Sequence, residues 1–353
     1  MTLVFYINYI KEVKINLKKV VVLFGTASTE HIVSCHSAES VLREINYKKY
    51  DVHSIYIDEK NEWYRFDQDF ESIFHHSWVD KHQDDKIENI CHELQQYDVV
   101  FPMLHGAYGE NGCIQGLCTL LNVPCVGCNL QSSALCFDKV CTKELLKEHN
   151  IPVVPYITIS KHKYSIKELE HKIGYPMIIK PARGGSSIGI EVANNRKECI
   201  KAINHAFQFD HKLLVEKFIH AHELECAVLE TKDIHVSSVG EIFSANSFYD
   251  YDAKYENNQS YTQINADIST DVKEEIRKIA KEAFQLLECS ELARIDFFYQ
   301  EDEHQIYLNE INTLPGFTKV SMYPQLCIAD GISYSKLVSI LIENAYKKNR
   351  KRK

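Results

Sequence analysis

Asp296, Glu310 and Asn312 supply three oxygen-bearing side chains to two largely apolar segments near the C-terminus. The segments, residues 293–299 and 305–312, flank a short polar turn, which predicts a β-hairpin. Side chains alternate along a strand, so Glu310 and Asn312 share a face, which Asp296 also reaches if the register has even parity. Hard oxygen ligands suit Mg²⁺, which binds through a few protein oxygens plus substrate phosphates. Solvated acids on an ordinary hairpin are the alternative, but bare carboxylates are costly to bury there.

A lysine and a glycine-rich loop follow each other in the middle of the chain. Lys180 ends a predicted strand, and residues 184–189 read GGSSIG. Glycines let backbone N–H groups approach phosphate oxygens, and the hydroxyls of Ser186 and Ser187 add donors. The order differs from a Walker A loop, and a flexible turn is the alternative. With the magnesium hairpin downstream, the pattern predicts a nucleoside triphosphate site.

Another predicted strand ends in four residues that could border an adenosine, Glu216, Lys217, Phe218 and Ile219. Their backbone could bond an adenine edge, and the last two supply an apolar wall. Glu223 could accept ribose hydroxyls. Taken alone, Glu216 is better explained as a surface acid.

Residues 248–255, FYDYDAKY, are too polar for a core strand and too aromatic for a plain linker. They predict a mobile lid, with a surface loop that packs its tyrosines as the alternative. Pro315-Gly316 predicts a turn after the hairpin, where a backbone N–H could stabilise an oxyanion. Arg294 shares the face of Asp296 and is a candidate anion clamp, and Ser321-Met322 could bind a carboxylate.

The N-terminal part must position a further pair of side chains. Strands are predicted at residues 19–25, 52–57, 98–104 and 123–126, with a helix from a Ser34 or Ser37 cap to about residue 45 and another at 114–121. This alternation predicts a parallel α/β unit, in which ligands lie beyond the carboxyl ends of strands. Glu30 and His105 follow strand ends and could line one crevice.

The pattern of predicted strands and helices changes after Asp138, which predicts two more domains. Residues 139–219 read as a small α+β domain and residues 220–353 as a third domain with the hairpin, after an α/β domain at 20–138 and an extension at 1–19. A chain of 353 residues has room for that many cores.

Composition narrows the function classes. The net charge of −9 argues against a dedicated nucleic-acid binder, and the basic end, residues 347–353, is interpreted as a solvated, frayed helix end. The 12 cysteines are scattered, which favours small buried thiols in a reducing cytosol over disulfides or zinc. No apolar stretch is long enough for a bilayer and no export signal is evident, so a cytoplasmic protein without a membrane partner is expected.

Taken together, these motifs resemble those of D-alanine–D-alanine ligases, members of the ATP-grasp superfamily, over roughly residues 19–345. They include STEHIVS at 28–34, HGAYGENG at 105–112, Asp138-Lys139, the loop at 185–189, Arg294-Ile295-Asp296 and NEINTLPGFT at 309–318. The resemblance implies three domains, an N-terminal Rossmann-like α/β domain among them. ATP would lie between the other two, and the chain would form a homodimer.

The resemblance also implies an activity and roles for single residues. The enzyme would join two D-alanine molecules with ATP through a D-alanyl phosphate, for peptidoglycan synthesis, and two Mg²⁺ or Mn²⁺ ions would take part. The implied roles are phosphate binding by Lys139 and Lys180; adenosine binding by 216–219 and Glu223; metal binding by Asp296, Glu310 and Asn312; the first D-alanine at Glu30, with His105 nearby; a network of Glu30, Ser186 and Tyr255; the transferred phosphate at Lys254; an oxyanion hole of Arg294 and the Gly316 N–H; and the second carboxylate at Ser321 and Met322.

The sequence differs from the family pattern at one turn, and three alternative functions remain open. Gly25-Thr26 replaces the Gly-Gly that the family often shows, and threonine disfavours positive φ, so either that turn does not need it or the backbone near Glu30 is shifted. The rivals are a D-alanine–D-lactate or D-alanine–D-serine ligase, another ATP-grasp carboxylate–amine ligase, and a nucleotide-binding regulator without catalysis.

Overall fold

The structure, a computed structural model, describes residues 17–66, 73, 85–161, 163–243 and 261–350. Within these ranges the strands form three sheets. The strands are β1 (Lys18–Gly25), β2 (Tyr50–Ile57), β3 (Trp63–Phe66), β4 (Val99–Met103), β5 (Tyr156–Ser160), β6 (Met177–Pro181), β7 (Glu191–Ala193), β8 (Lys212–Lys217), β9 (His222–Glu230), β10 (Ile234–Phe243), β11 (Tyr261–Gln263), β12 (Leu292–Gln300) and β13 (Gln305–Asn312). The helices are α1 (His31–Glu44), α2 (Ile90–Leu94), α3 (Cys113–Leu121), α4 (Leu130–Phe137), α5 (Lys139–Glu148), α6 (Ile166–Lys172), α7 (Arg196–Ala206), α8 (Thr270–Leu286), α9 (Met322–Ala329) and α10 (Tyr334–Arg350).

The N-terminal sheet has the strand order β3-β2-β1-β4. β1 pairs in parallel with β2 and β4, and β3 adds an antiparallel edge. Residues 20–24 of β1 are completely buried, as expected for a central strand covered on both faces. The predicted parallel α/β unit is therefore confirmed.

The strand predicted at residues 123–126 was wrong. This described stretch forms a single bridge, between Val100 and Cys125, instead of a ladder. The Val100 N–H donates to the Pro124 carbonyl at 2.8 Å. Pro124 has no N–H of its own to donate, so the pairing cannot be extended there.

The cap predicted for the first helix was also wrong. α1 begins at His31 with Glu30 as its N-cap, so Ser34 and Ser37 lie inside the helix and are fully buried. Ser34 Oγ accepts a hydrogen bond from the Gly25 N–H at 2.7 Å and donates to the Met103 carbonyl at 2.5 Å. The hydroxyl thus ties α1 to the ends of β1 and β4, a role that local capping preference does not reveal.

The turn after β1 adopts the conformation that its threonine disfavours. Gly25 and Thr26 have φ values of +95° and +88°. The alternative in which this turn does not need positive φ is therefore wrong. The His31 ring donates through Nδ1 to the Thr26 carbonyl at 2.8 Å, and the Tyr56 hydroxyl lies 3.1 Å from Nε2. Among the described residues, the buried Thr26 Oγ1 has no hydrogen-bond partner.

We expect Thr26→Gly to raise the apparent melting temperature by about 2 °C, because glycine relieves the positive φ and removes a buried unbonded hydroxyl. Thr26→Ala is the matched control, since it removes the hydroxyl and keeps the disfavoured φ. Differential scanning fluorimetry of both variants is the measurement. If the glycine variant melted no higher than the alanine variant, the backbone conformation of Thr26 would carry no cost.

The central sheet has the order β5-β8-β6-β7 and is antiparallel throughout. On one face, Ile179 and Val215 pack in a cluster with Cys199 of α7. On the other face, Val140 of α5 packs with Leu214 of β8. Because side chains alternate along β6, Lys180 points to the α5 face.

The C-terminal sheet has the order β11-β10-β9-β12-β13. The predicted hairpin forms between β12 and β13, with Asp296 opposite Glu310 and Arg294 opposite Asn312. Directly opposed residues of an antiparallel pair share a face, so the register has the parity that the metal prediction required. A bulge follows, since Phe297 pairs with Leu308 and leaves Asn309 as the extra residue.

The last segment of the chain packs on the first sheet. One buried cluster contains Phe24 and Phe101 of the N-terminal sheet together with Phe317 and Leu341. The Phe101 and Phe317 rings meet edge to face at 6.2 Å. The segment predicted as a third domain therefore completes the core of the first. Each predicted domain (20–138, 139–219 and 220–353) holds one sheet, and the boundaries themselves stay a prediction.

The two ends of the described chain are more ordered than expected. Lys18, which lies in the extension predicted at residues 1–19, begins β1 and pairs through Nζ with Glu343 Oε1 at 2.7 Å. The basic end was interpreted as solvated and frayed, but α10 runs to Arg350 and Lys348 bonds the Ser290 hydroxyl. Residues 1–16 and 351–353 lie outside the described residues.

None of the helices within the described ranges could span a membrane alone. By length and composition, α9 and α10 meet the criteria only as a pair, and they are bent by 104° relative to each other.

All 12 cysteines have free thiols, and eight of them are buried. The interpretation of the cysteines as small buried side chains fits these eight.

Candidate active site

Side chains from the segments around all three sheets meet at one cleft. Ser186 in the glycine-rich loop donates a hydrogen bond to Glu30 Oε1 at the start of α1. Lys139, at the start of α5, lies with its Nζ 3.6 Å from Glu310 Oε2 on β13. The His105 ring, beyond β4, contacts the Leu314 carbonyl beyond β13. These contacts bring together side chains that are far apart in sequence.

Asp296, Glu310 and Asn312 lie side by side on one face of the hairpin. Asn312 Nδ2 donates to Asp296 Oδ2 at 3.1 Å. The side chains of Asp296 and Glu310 are 14% and 27% exposed, so they are sheltered but reachable. The arrangement offers two carboxylates and an amide to a ligand in the cleft.

This donor set fits a magnesium ion that arrives with a polyphosphate. Among the described residues, no group of three or more His, Cys, Asp or Glu side chains could hold a metal by itself. Mg²⁺ usually takes one or two carboxylates and completes its shell with waters and phosphate oxygens. Two carboxylates beside one amide are consistent with that mode of binding.

Arg294 is held in the cleft by carboxylates on two strands. Its Nε and Nη2 donate to Asp296 Oδ1 and Oδ2 at 2.8 and 2.9 Å. Nε also lies 3.3 Å from Glu225 Oε2 on β9. Burial alone would lower the pKa of Arg294, but these carboxylates outweigh it and hold the pKa well above its usual range. The guanidinium is therefore a permanent, oriented cation.

The Glu30 carboxylate is enclosed by two loop backbones. A Cβ on Gly106 or on Gly185 would lie 2.6 or 2.8 Å from Glu30 Oε2, so each position favours glycine. Ser186 and Ser187 adopt φ values of +48° and +58°. Non-glycine residues keep such conformations only where the surroundings enforce them, which is common at functional sites.

His105 is a buried connector in this structure. The Leu314 carbonyl can only accept, so Nδ1 donates to it at 3.0 Å, and Nε2 then accepts from the Ser37 hydroxyl at 2.8 Å. Burial lowers the pKa of His105, which favours this neutral form. Both ring nitrogens are thus engaged in holding the loop after β13, and a direct substrate contact by His105 stays a prediction.

Glu216 is only 1% exposed, so its explanation as a surface acid was wrong. Its carboxylate pairs with two lysines, Lys180 at Oε2 and Lys143 at Oε1. Lys143 was not among the residues singled out from the sequence. A signal was present, because Lys143 follows Lys139 by one helical turn and so shares its helix face.

At the end of β8 and just beyond it, part of the backbone is already hydrogen-bonded within the protein. The amides of Lys217 and Phe218 donate to the carbonyls of Pro155 and Pro176 at 3.0 and 3.2 Å. An adenine contact would therefore fall to the remaining backbone groups of residues 216–219. That contact and the ribose contact of Glu223 stay predictions.

A cavity of about 490 Å³ opens beside the start of β9. Glu223, His222, Glu241 and Phe243 are among its lining residues. It therefore offers an apolar ring and carboxylates beside the predicted ribose ligand. A second cavity, of about 440 Å³, is lined by residues 183 and 207–211 and contains none of the predicted site residues.

Gly316 and Ser321 lie in one turn between β13 and α9. The Thr318 N–H donates to Ser321 Oγ at 3.1 Å, and a Cβ on Gly316 would lie 3.0 Å from the same oxygen. Met322 is 5% exposed, so its backbone N–H at the start of α9 is the group that an anion would contact. The structure thus places the two halves of the predicted carboxylate site next to the predicted oxyanion donor.

Lys254 and Tyr255, with the whole predicted lid at residues 248–255, lie outside the described residues. Their roles stay predictions.

Two family profiles match the chain. The one described as D-ala D-ala ligase N-terminus covers residues 19–128, and the one described as D-ala D-ala ligase C-terminus covers residues 145–343. A Clostridium acetobutylicum protein named D-alanine–D-alanine ligase is 46% identical over 340 residues, which are 94% of this chain and 99% of that protein.

Two solved structures have the same architecture. The VanG D-Ala:D-Ser ligase of Enterococcus faecalis superimposes with a TM-score of 0.85 at 35% identity, over 93% of this chain and 99% of that chain. The D-alanine–D-alanine ligase of Bacillus anthracis complexed with ATP gives 0.76 at 27% identity, over 96% of this chain and all of that chain.

Proposed function

The chain belongs to the D-alanine–D-alanine ligase family, and from this we propose that the cleft described above is its active site. The enzyme is an ATP-dependent ligase that joins two D-alanine molecules. Its fold is that of the ATP-grasp ligases, and its product serves peptidoglycan synthesis.

Two contacts between distant parts of the chain support the assignment of the site. The Ser186–Glu30 hydrogen bond and the Lys139–Glu310 ion pair join three separate parts of the chain around one space. Carboxylates, lysines and a fixed arginine all border that space. A ligase that brings a nucleotide to an amino-acid carboxylate needs such a set of groups.

ATP would lie with its phosphates between Lys139, Lys180 and Ser187. The two ammonium groups offset phosphate charge, and the hydroxyl and the glycine-rich backbone supply donors. Residues 216–219 and Glu223 would border the adenosine, next to the cavity at the start of β9.

Asp296, Glu310 and Asn312 would hold two Mg²⁺ or Mn²⁺ ions that accompany the nucleotide. When bound, these ions neutralise charge on the phosphate oxygens. The fit rests on the two carboxylates and the amide that share one face of the hairpin.

Glu30 would bind the ammonium of the first D-alanine. The Ser186 hydroxyl fixes the orientation of the Glu30 carboxylate, and Tyr255 would join the same network. The carboxylate of this D-alanine would take the γ-phosphoryl group of ATP, with Lys254 at the transferred phosphate, to give D-alanyl phosphate. An acyl phosphate hydrolyses readily, so the lid at residues 248–255 would exclude water.

The second D-alanine would be held by its carboxylate at the Ser321 hydroxyl and the Met322 N–H. Its amine attacks the acyl phosphate, and Arg294 with the Gly316 N–H stabilises the tetrahedral oxyanion before phosphate leaves. Arg294 suits this role because it is charged and already oriented.

The second substrate distinguishes the alternatives. The relative at 46% identity is named for D-alanine, and the solved structure at 35% identity is named for D-serine. The more similar relative thus supports D-alanine over D-serine or D-lactate.

We also propose that the enzyme is a cytoplasmic homodimer that acts on small molecules, without a nucleic-acid or membrane partner. The net charge of −9 supports the absence of nucleic acid. The dimer is what the family resemblance implies, and sedimentation velocity would test it.

The direct test is incubation of the purified enzyme with ATP, Mg²⁺ and D-alanine. We expect one D-alanyl-D-alanine per ADP, measured by mass spectrometry and a coupled ADP assay. An equal concentration of D-serine or D-lactate should leave this the main product. ADP formed without dipeptide, or a mixed product in excess, would contradict the proposal.

A further inference from the structure

Two lysines of α5 lie one turn apart, but only one reaches the loop beside the cleft. Lys139 Nζ donates to the Gly184 carbonyl in the glycine-rich loop at 2.8 Å. Lys143 is fully buried. Its Nζ lies 2.7 Å from Glu216 Oε1. Lys143 is thus shielded from a ligand by the protein itself.

The Glu216 carboxylate forms ion pairs with two lysines at the same time. Lys143 pairs with Oε1 and Lys180 with Oε2, and the side chains of Lys143, Lys180 and Glu216 are 0%, 7% and 2% exposed. Burial alone would raise the pKa of Glu216, but the two ammonium groups outweigh it and lower the pKa, so the carboxylate stays charged. Burial lowers the pKa of Lys143, and Glu216 opposes that effect. The cluster contains one more cation than it needs for neutrality.

Resting on the role of Lys180 at the ATP phosphates given above, we propose that Lys143 is a positioning residue that releases Lys180 for phosphate binding. Lys143 is the permanent counterion of Glu216. Lys180, at the edge of the same cluster, exchanges the carboxylate for phosphate oxygens when ATP binds. No atom of Lys143 contacts the nucleotide.

The electrostatics of a buried carboxylate give the reason. A buried charge that loses its last counterion is strongly destabilising. With Lys143 in place, Glu216 keeps one partner after Lys180 has moved. Without Lys143, any movement of Lys180 toward phosphate would leave Glu216 uncompensated, so the carboxylate would hold Lys180 back.

This mechanism predicts a specific double-mutant result. Lys143→Met keeps the length of the side chain and removes its charge, and it should weaken ADP binding at least about tenfold relative to adenosine binding, the contribution of one charge-assisted hydrogen bond. Adding Glu216→Gln removes the carboxylate that holds Lys180. The double variant should therefore recover most of the affinity for ADP that Lys143→Met removes.

The readout is the ratio of the ADP and adenosine dissociation constants, measured by isothermal titration calorimetry with Mg²⁺. Any direct effect of Glu216→Gln on adenosine binding cancels in this ratio, and a general loss of structure would not change it selectively. Lys143→Arg keeps the charge and should stay within threefold of the parent ratio. If Lys143→Met fails to fold, Lys143→Arg provides the test instead. A folded Lys143→Arg that binds ADP tenfold more weakly relative to adenosine would contradict a role of Lys143 as counterion.

Lys180→Met separates this inference from the proposed function. If Lys180→Met left the ratio unchanged, the assignment of Lys180 to the phosphates would itself be wrong. If Lys180→Met weakened ADP selectively and Lys143→Met did not, only the role of Lys143 would fall. A double variant as weak as Lys143→Met would also overturn it, since the effect of Lys143 would then not pass through Glu216.

Discussion

Glu310→Gln is expected to lower kcat by about a thousandfold while the protein stays folded. The substitution keeps the shape of the side chain and removes a charge that would face metal-bound phosphates. It also takes away the carboxylate 3.6 Å from Lys139 Nζ. The effect should therefore appear in turnover and in the Mg²⁺ dependence of ADP binding, both of which can be measured on the same preparation.

Glu303→Gln provides the matched control for Glu310→Gln. Glu303 is exposed in the turn of the same hairpin, so the same chemical change there should leave kcat and the melting temperature as they were. Turnover of Glu310→Gln within threefold of the parent enzyme would contradict the assignment of Glu310 to the metal.

Arg294→Lys is expected to lower kcat about a hundredfold with a much smaller change in the KM for ATP. Lysine keeps a positive charge between Asp296 and Glu225, so the two carboxylates remain compensated. It cannot reproduce the two-pronged contact with Asp296 or hold a planar donor at a fixed place beside an oxyanion. Steady-state kinetics with D-alanine and with ATP varied separately would show the split.

Arg196→Lys tests whether any change of a paired arginine has this effect. Arg196 makes the same two-pronged contact with Glu170 on the surface of the central segment. We expect this variant to match the parent in kcat and both KM values. Equal kinetics for Arg294→Lys and Arg196→Lys would rule out Arg294 as the oxyanion ligand.

Local patterns in the sequence predicted the elements that depend on local chemistry. The hairpin with Glu310 and Asn312 could be predicted because strand periodicity places alternate residues on one face. The parallel arrangement of the first sheet could be predicted from the alternation of strands and helices. Only the structure shows that Asp296 lies directly opposite Glu310, because that register depends on the bulge at Asn309.

The features that were missed depend on contacts between distant residues. Ser34 reads as a helix cap, but it is buried because the ends of β1 and β4 both need a hydrogen-bond partner there. Glu216 reads as a surface acid until Lys143 and Lys180 are placed against it. Thr26 contradicts its own preference because Ile57, His31 and Tyr56 hold its turn from other elements. His31 is near Thr26 in the sequence, but Met103, Ile57, Lys143 and Lys180 are far from the residues that they contact, so local patterns do not reveal them.

The cluster shared by Phe101, Phe317 and Leu341 sets an order of events during synthesis on the ribosome. The strands of the N-terminal sheet and α1 emerge early, whereas α10, which packs with them in the same cluster, emerges much later. Until then the nascent chain exposes the part of this apolar cluster that the C-terminal segment covers, and exposed apolar surface of this kind aggregates or recruits chaperones. Production of the C-terminal segment, more than production of the N-terminal sheet, is therefore the step at which this first core is completed.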